Sequence, residues 1–283
     1  MRSRIWILPS LVTLANLVCG FAAIGIATYG ELELAETLRW RGLDAFALAS
    51  LFILAAMVFD AVDGKIARMA NLTSEFGAQL DSLCDMVSFG LAPAYLVFLT
   101  ALNKDLFQRD RYAWVCAALF IICAALRLAR FNVQSKPDHK GHQYFQGLPT
   151  PAAGGLLASM LLVDSSLGMP LTLPAALLPF VTVILAGLMV SYFPYIHLAN
   201  HLFKERGSFR YLVVVVLVVL AFLAMAQYYE YILLAGFGLY CLSGPAWGAY
   251  RRFVLHLTVG ITEAPSTDPD GETSSDSGPD EGL

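Results

Sequence analysis

Charge is scarce in this sequence. Only 14% of its 283 residues are Asp, Glu, Lys or Arg, where a soluble domain carries about 25%. Hydrophobic residues make up 58% and the mean hydropathy is +0.64. A globule of this size cannot hide so much apolar surface from water, which excludes an ordinary cytosolic enzyme, a disordered chain and a coiled coil. Thiol motifs are absent too. Cys19, Cys84, Cys116, Cys123 and Cys241 form no C-x-x-C pair and lie in apolar stretches, so they read as small buried hydrophobes and not as a disulfide or zinc framework. No repeat of 20–50 residues is visible. Nothing points to nucleic acid, and none is expected as a partner. Lys and Arg are missing beyond Arg252, while residues 262–283 carry seven acids among Pro, Gly, Ser and Thr. That tail cannot bury enough surface to offset its ordering entropy and is expected to be disordered from about 262. Without it the body holds 15 acids against 18 bases, so the formal net charge of −4 hides a body of +3.

What the chain has is long apolar runs, each near the roughly 20 residues a helix needs to cross a bilayer. They lie at about 11–29, 44–62, 84–102, 112–131, 151–168, 172–191, 209–227 and 229–247. Backbone groups in hydrocarbon must be satisfied internally, which makes each run a helix. The expected fold is an all-α, polytopic membrane bundle of about eight transmembrane helices. Under that assignment Arg39, Arg41, Lys104, Arg109 and Arg111 fall on one side and the other thirteen Lys and Arg on the opposite side. The excess places both termini in the cytoplasm. Arg2 and Arg4 precede the first run in the manner of a signal peptide, but the run has no clear cleavage region, and a retained helix is expected. The chain divides into a helical core over 1–190, a loop with two further spans over 191–252, and a tail over 253–283.

Acids near hydrocarbon are costly and suggest function. Asp60, Asp63, Asp81 and Asp85 fall within 26 residues, in the pattern D-x2-D-G-x2-A-R-x8-G-x3-D-x3-D. Asp60 and Asp63 are i and i+3 at the end of the second span; Gly77, Asp81 and Asp85 repeat every four residues at the start of the third. Each set shares one helical face. A short connection makes the two helices antiparallel neighbours, so the four carboxylates can converge in one cleft at the cytoplasmic end. They cannot all stay ionised without compensation. Oxygen donors without His or thiolate favour Mg²⁺ or Mn²⁺, and two such ions can clamp a pyrophosphate. Gly64 and Gly77 allow a ligand close to the backbone, and Arg68 offers a bidentate phosphate donor. The other reading is a set of helix-end acids paired with Lys65, Arg68, Arg127 and Arg130.

These residues resemble the signature of the CDP-alcohol phosphotransferases at every fixed position: Asp60, Asp63, Gly64, Ala67, Arg68, Gly77, Asp81 and Asp85. The resemblance implies a helical membrane enzyme, usually a homodimer, that uses divalent metal to displace CMP from a CDP-linked lipid or alcohol. It implies that Asp60, Asp63, Asp81 and Asp85 hold two ions and that Asp63, Gly64, Ala67, Arg68 and Gly77 line the CDP site. It makes Asp85 the candidate general base. Flanking segments resemble the membrane-type phosphatidylserine synthases: the opening from Pro9 to Gly20, in which Ser10 stands where that group usually has Asn; Ser74-Glu75-Phe76; Ser88 to Pro93; Arg127-Leu128-Ala129-Arg130-Phe131-Asn132; and Phe145 to Pro151. They imply CDP-diacylglycerol and L-serine as substrates at the cytoplasmic face of the inner membrane, among membrane lipids, with Thr13, Arg127, Arg130 and Asn132 as candidate substrate contacts. Arg127 and Arg130 read equally as snorkelling anchors at headgroups. His197 and His201, like His139 and His142, read as surface histidines.

Three rivals stay open. The acceptor is glycerol 3-phosphate or inositol in the first, since the eight-residue signature does not report it. The second is an intramembrane prenyltransferase, whose two Asp-rich motifs are usually far apart, whereas Asp63 and Asp81 are separated by 18 positions. The third is a divalent-cation transporter, for which only Asp164 and Glu230 remain outside the cluster, near the outer ends of spans.

Overall fold

The computed structural model describes residues 7–31, 44–69, 75–103, 110–134, 145–167, 173–195 and 228–262. Among them the chain is helical apart from one two-residue ladder. Helices α1 (Ile7–Glu31), α2 (Ala45–Met69) and α3 (Glu75–Asp85) are followed by a π-helical segment (Met86–Leu91) that runs into α4 (Ala92–Asn103). Then come α5 (Asp110–Gln134), β1 (Phe145–Gln146), α6 (Thr150–Leu167), α7 (Leu173–Val190), β2 (Pro194–Tyr195) and α8 (Tyr229–Thr262). Among the described residues five stretches are long and apolar enough to cross a membrane: Leu11–Gly30, Ala45–Gly64, Glu75–Leu102, Arg111–Gln134 and Tyr229–Tyr250. Leu177–Val190 is a shorter apolar helix. The expected span at 209–227, the four loop histidines and the acidic tail lie outside the described residues.

The third span differs from its sequence reading. It begins at Glu75 instead of near 84, because α3, the π-helical segment and α4 form one continuous rod. Glu75, Asp81 and Asp85 interrupt the apolar run, which hides two helical turns from a hydropathy reading.

Local sequence explains the ends that position the site. Asp44 caps α2: its carboxylate accepts the Ala47 N–H at 2.7 Å, satisfying an otherwise orphaned donor of the first turn. α6 is the central helix, with fourteen of its eighteen residues buried. Its run Ala152-Ala153-Gly154-Gly155 lets neighbours approach closely, as small residues do between membrane helices. Gly154 faces the Phe89 backbone and Gly155 the Phe237 ring. Around α6 pack α2, α7, α8 and the π-helical segment, while α1 lies along α2 and against α3. Phe89, Phe120, Ile53, Leu157 and Leu161 fill the interior. The outer surface is equally apolar: Val18 and Phe21 on α1 and Trp114, Ile122 and Leu126 on α5 are more than half exposed. Such surface is tolerable facing lipid tails and would aggregate in water. All five cysteines are free, four buried and Cys116 half-buried.

The ladder pairs Phe145 with Tyr195 and Gln146 with Pro194. Tyr195 donates its hydroxyl to the Cys241 carbonyl at 3.0 Å, tying β2 to α8. Burial, with Cys241 and Tyr240 beside it, pushes the Tyr195 phenol up, so it remains a donor. Gly147 follows the ladder with φ +89°, and a Cβ there would collide with the Met189 carbonyl oxygen. Replacement Gly147→Ala is therefore expected to destabilise the protein by roughly 2 kcal/mol, read as a lower thermal midpoint in detergent. An unchanged midpoint would contradict this packing.

Candidate active site

The carboxylates come from two neighbouring helices, both packed on α1. α2 supplies Asp60 and Asp63, one turn apart; α3 supplies Asp81 and Asp85, also one turn apart. One carboxylate oxygen from each of Asp60, Asp63 and Asp81 lies within 4.8 Å of the other two. Asp63 is only 4% exposed, while Asp60 and Asp81 are half-buried. Thr13 on α1 donates its hydroxyl to Asp63, and so does the Gly64 backbone N–H. The Asp63 Oδ2 atom is buried without a partner. Three acidic oxygens held this close, on a set of residues that includes a buried and unpartnered carboxylate oxygen of Asp63, fit a divalent cation: hard oxygen donors and excess negative charge are what such an ion requires.

Asp85 stands beside this trio and not within it. Its charged neighbours are Asp60, Asp81 and Arg127, and the Asn16 amide donates to its Oδ1 at 3.1 Å. Asn16 is fully buried. Ser88 donates to the Asn16 backbone carbonyl at 2.9 Å, binding the π-helical segment to α1. The two elements meet so closely at Gly20 that a Cβ there would strike Ser88.

The basic residues part company. Arg127 turns inward, where Asp85 and Asp60 act on it electrostatically; its guanidinium donates to Thr150 Oγ1 at 2.8 Å and lies over the Phe131 ring at 5.6 Å. Arg130 instead donates to the Val190 carbonyl at 3.1 Å and covers the Tyr192 ring at 5.0 Å, so it clamps the end of α7. Asn132 accepts a hydrogen bond from Ser82 at 3.1 Å and joins α5 to α3. Thr13 supports an acidic residue, a role its sequence motif alone did not reveal. Gly77 is half-buried one turn before Asp81. Ala67 and Arg68 fall on the last turn of α2, with side chains outside the described residues.

Sequence reasoning gave Asn16, Ser88 and Thr150 no role. The available signal was on α1: Thr13, Asn16 and Gly20 at i, i+3 and i+7 set two polar groups and a glycine on one face of an otherwise apolar helix.

Chemically, the site can hold a divalent cation on three carboxylates, with a fourth carboxylate at its side and the inward guanidinium of Arg127 nearby. The CDP-alcohol phosphatidyltransferase family profile matches residues 6–242. The chain is similar to proteins named CDP-diacylglycerol–serine O-phosphatidyltransferase from several organisms. The Bacillus subtilis relative is 34% identical over 205 residues, covering 72% of this chain and 98% of the relative. The Mycobacterium tuberculosis relative is 31% identical over 166 residues, covering 57% and 51%. The Saccharomyces cerevisiae relative is 39% identical over 117 residues, covering 40% of each. The chain thus spans about half the length of the mycobacterial relatives it matches. The family profile covers well over half of the sequence and contains the whole acidic cluster, so this chain belongs to the CDP-alcohol phosphatidyltransferase family.

Proposed function

We propose that the protein transfers the phosphatidyl group of CDP-diacylglycerol to L-serine, giving phosphatidylserine and CMP. The observation that carries this reading is the meeting of Asp60, Asp63 and Asp81 within 4.8 Å, with Asp85 alongside. The names of the relatives support the donor and the acceptor. Asp60, Asp63, Asp81 and Asp85 would hold two ions, Mg²⁺ or Mn²⁺. Bound there, divalent ions neutralise the pyrophosphate and the charge that grows on it, the main task in phosphoryl transfer.

The chain's own residues do the rest. Gly64, Ala67, Arg68 and Gly77 line the CDP moiety. Asp85 accepts the proton of the serine hydroxyl as that oxygen bonds to the phosphorus bearing diacylglycerol. The bond from that phosphorus to the CMP oxygen breaks, and CMP leaves. Arg127, which turns inward, faces the same charge. No second nucleophile is evident, which favours direct displacement. The excess of Lys and Arg on one side supports a multi-pass protein of the cytoplasmic membrane with about eight spans, both termini and the site facing the cytoplasm. The family supports a homodimer, and the division into a core over 1–190, an added pair of spans to 252 and a tail belongs to the same reading.

The acceptor is tested by offering serine, glycerol 3-phosphate and inositol separately to purified protein with CDP-diacylglycerol and Mn²⁺, and weighing the lipid product. A serine lipid is expected from the first alone. A product only with glycerol 3-phosphate or inositol would keep the metal cleft and discard serine.

A further inference from the structure

We propose that Asn16 is a positioning residue that fixes the carboxylate of Asp85 for proton transfer; this rests on the role of Asp85 put forward above. An amide in the middle of an apolar helix is costly to bury unless it is used, and Asn16 has no exposed surface. Its Nδ2 reaches Asp85 Oδ1 at 3.1 Å across 69 positions of sequence. Its backbone carbonyl takes the Ser88 hydroxyl at 2.9 Å. Asn16 is thus tied to both ends of the stretch 85–88. Asp85 is the last residue before the π-helical segment, a kind of turn frequent at functional sites. A Cβ at Gly20 would strike Ser88, so α1 approaches this segment as closely as a glycine permits.

With Asp85 ionised, as a base must be, the amide has one consistent orientation. Exchanging its nitrogen and oxygen would set a carbonyl oxygen against a carboxylate oxygen. In the orientation present, Asn16 Oδ1 is buried and has no hydrogen-bond partner. The molecule leaves that atom unsatisfied while keeping a donor on Asp85. A pair kept only for stability would be better replaced by apolar groups of the same shape. The donor takes one lone pair of one carboxylate oxygen; the second lone pair of that oxygen stays open to an ion and the other oxygen to the substrate proton.

The test is a double-mutant cycle of Asn16→Leu with Asp85→Asn, reading kcat and KM for CMP release with serine. Asn16→Leu is expected to lower kcat about 10- to 100-fold, the range for a displaced reacting group, with KM for both substrates within threefold of wild type. On the Asp85→Asn background it should cause no further loss, because it acts through Asp85. Equal losses on both backgrounds, or kcat within threefold of wild type, would overturn the assignment. If Asn16→Leu does not fold, Asn16→Ala removes the donor without adding a charge and gives the same readout. Wild-type protein with no CMP release under any acceptor would instead sink the transfer reading itself, and this assignment with it.

Discussion

Replacing Asp63 by Asn is expected to lower metal-dependent CMP release by about 10³-fold or more. The change keeps the shape of the side chain and the Thr13 and Gly64 contacts remain possible, so the fold should survive. It removes one of three charges within 4.8 Å of one another, at the most buried of the three sites. Metal stabilisation of a transferring phosphoryl group is worth several kcal/mol, and each 1.36 kcal/mol is tenfold in rate. The variant should also need much more Mg²⁺ or Mn²⁺ for half-maximal rate, which separates a ligand from a general structural acid. A loss under tenfold, with an unchanged metal requirement, would remove Asp63 from the centre.

The second large effect is expected at Asp85. A general base contributes about 10²- to 10⁴-fold, and Asp85→Asn deletes the base and the charge of one of the four proposed ligands while leaving Asp60, Asp63 and Asp81 in place, which is why the rate is read at saturating metal. Rate should fall in that range at saturating metal, with CMP still bound by the folded variant. Turnover near that of wild type with metal bound would make the base assignment wrong and leave Asp85 a neighbour of the cluster only.

The parts of this architecture that are local in sequence could be read from it. Asp60 with Asp63, and Gly77 with Asp81 and Asp85, follow helical spacing, so their shared faces needed no tertiary information. Apolar runs gave the helices of the first, second, fourth and last spans, because bilayer thickness dictates their length, while the run near 172–191 corresponds to a shorter apolar helix within α7. The buried helix α6 was readable as a run, but its central place rests on packing around Gly154 and Gly155. The contacts that hold the site were not legible. Asn16 meets Asp85 across 69 positions and Ser82 meets Asn132 across 50, and no periodicity reports such pairs. Arg127 and Arg130 look equivalent at i and i+3, yet one faces the acids and the other is taken by the Val190 carbonyl. The π-helical segment is a matter of hydrogen-bond register, to which hydropathy is blind.

The acidic trio is proposed to serve phosphatidyl transfer to serine. The most direct measurement is CMP release from CDP-diacylglycerol by purified protein, over a Mg²⁺ or Mn²⁺ titration, with and without L-serine. Release should require both the metal and serine, with a serine-containing lipid formed in equal amount. Folded protein that releases no CMP at any metal concentration with any alcohol would contradict it, and the carboxylates would serve another substrate or none.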